Sequence, residues 1–235
     1  MKLQELLEEL QENLLRDVSP EAETPVSNLW SQRQLVRYLD DAQNKMARET
    51  ECLLDSQNPR TTTFNLVEGI DTYYLDPRVV RVYHVMVGNR ILKQSSLYHE
   101  LDGSEQRRSS LPQEAFQTDR VSWYSLDTDT QALRVYPVPT EKENLEMVRL
   151  SVSRLPMEPL ATDNLEAEPE IPRDFHLDMV EWAAFRALRN HDVDGENLQK
   201  ANVHRSAFRQ ATDDLRRATR RRHAPPAMFG GQVNN

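Results

Sequence analysis

Cysteine occurs once in 235 residues, at Cys52. That excludes an internal disulfide framework and any zinc site built on several thiolates, and it suits a reducing compartment. Glycine is sparse too, six in all. No stretch carries a glycine-rich phosphate loop, a G-x-S-x-G nucleophile turn or an H-E-x-x-H zinc pair. No apolar run approaches the ~18 residues of a membrane span. The opening "MKLQELLEELQENLLRD" is not a secretory leader, because Glu5, Glu8 and Glu9 interrupt the apolar stretch that a leader needs. Net positive charge is missing as well. The formal charge is −9, which argues against general affinity for phosphate backbones or anionic lipid. What remains is an acidic chain of the soluble, intracellular type, with 38% hydrophobic and 29% charged residues. It is long enough to bury a core in one large domain or two small ones.

The hydrophobic pattern changes period twice. Leu3, Leu6, Leu7, Leu10 and Leu14 predict an amphipathic helix over 2–17, followed by a polar connector with Pro20 and Pro25. Ser31 and Gln34 then form an S-x-x-Q capping box, with Trp30 and Leu35 at the staple positions on either side. Leu35, Leu39, Ala42, Met46 and Leu53 continue one stripe of a helix that ends before Asn58-Pro59. From Thr61 the period becomes two. Gly88-Asn89 predicts a hairpin turn, "RVSWYSL" and "ALRVYPVP" a second hairpin, and Val148, Leu150 and Val152 one face of a half-buried strand. "SSLYHELDG" fits one helical turn capped by Ser95 or Ser96, with a polar loop over 103–119. Residues 157–170 are acidic, and two helices are expected after them, about 173–190 and 195–222. The fold class predicted is α+β. A discontinuous helical-bundle domain (1–58 and 158–223) carries an inserted antiparallel β module (60–156), and an extended tail (224–235) is broken by Pro225-Pro226 and Gly230-Gly231.

One stretch concentrates ionisable groups. "EIPRDFHLDMVEWAAFRALRNHDVDGE" holds His176, Asp178, Glu181, His191, Asp192 and Asp194. On a helix, His176 and Asp178 lie about 160° apart and His176 and Glu181 about 140° apart, so they do not converge on a metal. Phe175, Met179, Trp182 and Ala183 share one face, while Leu177, Ala184 and Leu188 share the opposite one. That describes a helix buried on two sides, between neighbours or between subunits. Asn190, Asp192, Asp194 and Gly195 match the first half of a calcium loop, but its twelfth position holds Ala201 where a bidentate Glu is needed. A turn in which Asp194 caps the next helix is the simpler reading. No catalytic residue, cofactor site or metal site is predicted. His84, His99, His204 and His223 are scattered, and Cys52 has no obvious histidine partner.

The last helix carries more information. Ala201, His204, Phe208, Ala211, Leu215, Ala218 and Arg222 step by alternate threes and fours, which is a heptad seam. Outside it lie Arg205, Arg209, Arg216, Arg217, Arg220 and Arg221. Three readings of this basic end compete: a solvated face, a docking surface for an acidic neighbour, or a nucleic-acid patch. The acidic segment with Glu158, Asp163, Glu166, Glu168 and Glu170 is a natural complement, on the same copy or another.

The order of motifs resembles one known family. "LWSQRQLVRYLDDAQNKMARE", "YYLDPRVVRV", "LRVYPVP", "VSRLPMEPL" and the stretch from "PEIPRDFHLDMVEW" to "SAFRQAT" together resemble the head-to-tail adaptor (connector) proteins of short-tailed bacteriophages, over about residues 29–212. The resemblance implies a structural virion protein, assembled in the host cytoplasm, that needs no cofactor and catalyses nothing. It implies a ring of twelve copies beneath the portal protein that extends the DNA channel and offers a platform to the tail nozzle. DNA would pass without specific binding. Candidates for portal binding are Arg216, Arg217, Arg220, Arg221, Arg222, Met228 and Phe229. Candidates for ring packing are Trp182, Phe185, Phe208 and Leu215. Two alternatives are a nucleic-acid-binding regulator using the Arg-rich helix, supported if DNA binding is salt-dependent, and a hydrolase on the β module, supported if perturbed carboxylates share a cleft.

Overall fold

The computed structural model describes residues 1–15, 29–95, 119–127, 130–190 and 195–223. The class is α+β, with the long helices gathered in one unit and the strands in the other. Met1–Leu53 and Pro156–Asn235 make up the first unit, and Leu54–Leu155 the second.

The helical unit opens with α1 (Leu3–Glu8), which runs into a π-helical stretch, Glu9–Leu15. Its first amides are satisfied by tertiary contacts. Leu3 N donates to Ala167 O (2.8 Å) and Gln4 N to Leu165 O (3.0 Å), so the acidic loop holds the chain's first turn. Helix α2 (Gln32–Thr50) starts at the capping box. Gln34 N donates to Ser31 Oγ, and Ser31 N to Gln34 Oε1 at 3.1 Å, a cap worth about 1 kcal/mol. Trp30 and Leu35 on either side are both buried in the same core. The stripe of Leu35, Leu39, Ala42 and Met46 is fully buried. It stops short of Leu53, however, because Glu51 takes a left-handed conformation (φ 54) and closes α2 by donating its N–H to Ala47 O. Helix α4 (His176–Asn190) and helix α5 (Gly195–His223) follow the acidic loop. Helix α4 packs against α2, α5 and the N-terminal segment. Its two-sided burial is therefore met inside one chain. Leu177, expected on a buried face, is 51% exposed.

Helix α5 departs from its heptad. Ala201, Phe208, Ala211 and Leu215 are buried as read, yet the seam continues through Thr212 and Thr219 while Arg222 is exposed. A straight 3.6-residue helix drifts about 20° per heptad against a 3.5 repeat, so a seam read at 3.5 walks off the contact line.

The second unit has two sheets around one core. Strands β4 (Val79–Val87) and β9 (Met147–Arg154) pair antiparallel at the centre of the first. The far edge of β9 takes both β1 (Leu54–Asp55) and β2 (Thr63–Asn65), and β5 (Arg90–Ile91) pairs with β4 across the Gly88-Asn89 turn. The second sheet runs β3 (Thr72–Tyr74), β8 (Ala132–Tyr136), β7 (Trp123–Asp127), β6 (Lys93–Gln94). All pairs are antiparallel except β6 with β7, which is parallel. Buried Val82, Val85, Val148, Leu150, Tyr124, Leu133 and Val135 fill the space between.

Two sequence expectations change here. Pro59–Thr62 is not strand but one helical turn, α3, started by Asn58, whose side chain accepts Arg60 N at 3.1 Å, with Pro59 pre-set for the first turn. Strand β4 does not alternate strictly. Val79, Val82, Val85 and Val87 are buried, because register shifts at Val79/Arg81 and Val82/His84 each reset the two-residue period. Of the helical turn read at Ser95 or Ser96 only Ser95 is described, its N–H bonded to Tyr124 O at 2.7 Å, and the connector with Pro20 and Pro25 lies outside the described residues.

Candidate interaction surfaces

The ionisable groups of the opening stretch do not come together. His176 is buried, with Nε2 2.9 Å from Ile171 O and Nδ1 3.0 Å from the Met1 amine. Glu181 turns the other way, to His204 Nδ1 at 2.7 Å. Burial raises the Asp178 carboxyl above its ordinary range, with the negative charges of Glu181 and Asp214 adding to it. His191, Asp192 and Asp194 lie outside the described residues, and so does the calcium-like loop. Among the described residues no three His, Cys, Asp or Glu side chains are placed to share a metal ion. In the β unit, burial pushes the Asp55 carboxyl up, but the amides of Asn58 and Gln57 and the Arg154 guanidinium outweigh it and hold it below its usual range. Burial also pushes the Cys52 thiol up, which keeps it protonated and unreactive.

His176 has a consequence for stability. Burial lowers its pKa from the ordinary 6.5, and the adjacent amine charge lowers it further. A depressed folded value means that the imidazole's contribution is complete above 6.5 and is lost as pH falls through the lower folded value. Wild type is expected to lose stability between pH 7 and 5 more steeply than His176→Asn, by up to about 1.4 kcal/mol per pH unit. Chemical denaturation at stepped pH measures it. Equal slopes in the two proteins would show that His176 does not titrate against folding.

The helices build one concave surface. A cavity of about 470 Å³ opens where α2, α4 and α5 meet, with Trp182, Phe185 and Phe208 as its floor. The Trp182 ring lies 5.1 Å from Phe185 and 5.0 Å from Phe208. Trp182 Nε1 donates to Asp41 Oδ2 at 2.7 Å, which fixes the indole. Lys45, Arg189, Arg205, Arg209 and Arg216 line the rim, against only Glu49 and Asp213. Lys45 pairs with Glu49 and Arg216 with Asp213. Arg189 and Arg205 stand over the Phe185 ring at 5.9 and 5.6 Å. Among the described residues, Arg189, Arg205 and Arg209 have no carboxylate partner.

Of the ring-packing candidates, Trp182, Phe185 and Phe208 line this cavity. Phe185, Phe208 and Leu215 are buried and Trp182 is half-buried within a single chain, so their burial requires no neighbouring copy. Of the portal-binding candidates, Arg216 also donates to Glu49 O (3.1 Å) and Arg217 pairs with Asp214 (3.3 Å), while Arg220, Arg221 and Arg222 are exposed. Met228 and Phe229 lie outside the described residues. The acidic loop is largely occupied at home: Glu166 pairs with Lys2, Glu168 with Arg173 at 2.7 Å, and Glu170 Oε1 accepts the amides of Met157 and Glu158. Sequence reasoning weighed the Arg-rich helix but missed Lys45 and Arg189, which stand on other helices. For Arg189 the available signal was its helical offset on α4, i+7 from Trp182 and i+4 from Phe185; Lys45, on α2, carried none.

A charged, aromatic-floored surface on packed helices is suited to binding another macromolecule. The family model of the SU10 adaptor protein matches residues 1–229, and the chain belongs to that family of phage adaptors, with a structural role in the virion. The match reaches past 29–212 at both ends and so takes in the N-terminal helix and the Arg-rich end of α5. No curated protein matches the chain.

Proposed function

We propose that this adaptor assembles as a ring of about a dozen copies, the number implied by its resemblance to short-tailed phage connectors, beneath the portal at the capsid vertex. The ring extends the DNA channel and gives the tail nozzle its platform. Family membership over residues 1–229 carries this reading. The net charge of −9 supports it, since an acidic lining lets DNA slide rather than stick. The helical unit makes the ring and the β unit faces the tail. In support, the β unit is entered and left at one place, because Leu54 of β1 pairs with Ser153 of β9. Such a two-strand stem lets the unit be removed without cutting the helical core. The segment 224–235, with Met228 and Phe229, extends to the portal, and Arg216, Arg217, Arg220, Arg221 and Arg222 flank it.

The test is co-sedimentation with portal protein. Replacing 54–155 by a short linker is expected to leave portal binding intact and abolish recruitment of the next tail component. Deleting 224–235 is expected to weaken portal binding. A full-length protein that ignores portal but binds duplex DNA with a steep salt dependence would replace the adaptor role by nucleic-acid binding.

A further inference from the structure

The helical unit carries opposite charge on opposite sides of α4. His176 of α4 meets the Met1 amine, whereas Glu181, Trp182 and Phe185, about 120–180° further round the helix, face α5 through His204, Phe208 and Arg205. The N-terminal segment and α5 therefore occupy opposite faces. Residues 1–15 contain Glu5, Glu8, Glu9 and Glu12 against the single Lys2, and Glu5, Glu8 and Glu12 are exposed. The α5 side presents the cavity rim of five cations against two carboxylates.

We propose that the acidic N-terminal helix of one copy docks on the basic, aromatic-floored groove between α2, α4 and α5 of the next. This rests on the ring reading and specifies its interface. Three features select a second copy as occupant. The three arginines without carboxylate partners among the described residues stand together, so the groove as described is short of negative charge. The complementary stripe lies on the same chain, on the far side of the same helix, where it cannot reach its own groove. A patch and its complement on opposite faces make a head-to-tail contact, which repeats from copy to copy and closes into a ring when the rotation permits. Such a contact is electrostatic and weakens as salt screens it.

The experiment uses charge reversal in the full chain, at exposed positions chosen to spare the fold: Glu8→Lys with Glu12→Lys, and Arg205→Glu with Arg209→Glu. Thermal unfolding first verifies that both variants fold. Self-association is then followed by sedimentation and native mass, for the protein alone and bound to portal. Each double variant alone is expected to associate more than about tenfold more weakly than wild type, because like charges then face each other. A mixture of the two is expected to recover association, since the reversed edges complement one another. Wild-type assembly that both variants retain would overturn this interface and leave the ring standing. A wild type that never self-associates, even on portal, would remove the ring as well. Loss in the arginine variant alone, with no rescue and with wild type binding a short DNA duplex, would assign the groove to nucleic acid instead.

Discussion

Phe208→Ala is expected to lower the unfolding free energy by about 3–5 kcal/mol, the range for truncating a buried phenylalanine. The ring is 1% exposed and stacks at a tilt against Trp182, with centroids 5.0 Å apart. Truncation removes the contact that joins α5 to α4 at the floor of the groove. The lower end of the range is favoured, because Phe208 already borders the 470 Å³ cavity, and water can enter the enlarged space. Phe208→Leu keeps much of the volume and is expected to cost under about 2 kcal/mol. Urea denaturation gives both values. A cost below 1 kcal/mol for the alanine variant would mean that α5 does not pack on α4 through this ring.

Glu143→Ala is expected to cost about 2–4 kcal/mol, the loss typical of a buried amide left without its acceptor together with a small void. The Glu143 side chain is 2% exposed. Its Oε1 accepts Val121 N at 2.9 Å and Arg90 Nη2 at 3.1 Å, while Arg90 Nη1 donates to Val121 O at 3.0 Å. One carboxylate thus ties a short 3-10 turn (Glu141–Glu143), the β4–β5 hairpin and the chain entering β7. Arg90 also reaches Glu146 Oε2 at 3.1 Å, so its charge keeps a partner after the substitution. The larger part of the loss falls on the orphaned Val121 amide and on the void. Glu143→Gln retains an acceptor for Val121 N and is expected to cost only about 1–2 kcal/mol. Equal costs for the two variants would show that charge, not the amide, dominates the site.

Several features were legible because they obey local rules. The start of α2 is written in Ser31 and Gln34, which need only each other. The Gly88-Asn89 hairpin follows from the backbone freedom that Gly88 needs at φ 57. The capping Asn58 with Pro59 was legible too, but the β-branched threonines after it drew the reading toward strand. Their hydroxyls in fact bond back to the preceding turn, Thr62 Oγ1 to Asn58 O at 2.6 Å, a local partner that competes with strand pairing.

The interaction surface was only half legible. Seven arginines of one helix could be counted from the sequence, and the divergence of His176 from Glu181 followed from 100° steps. That the basic groove needs Lys45 of α2 and Arg189 of α4, and that an acidic helix lies on the other side of α4, came from packing. So did the neutral His176, buried by contacts with Ile171 and with the amine of Met1, 175 residues away. The sequence by itself determined the start of α2 and the Gly88-Asn89 turn, because each depends on residues within a few positions of one another, and the family, because the order of its motifs is written along the chain. Only the tertiary structure decided which charges share a face, since that depends on the rotation of each helix about its axis. A drift of about 20° per heptad is enough to change which residues are buried.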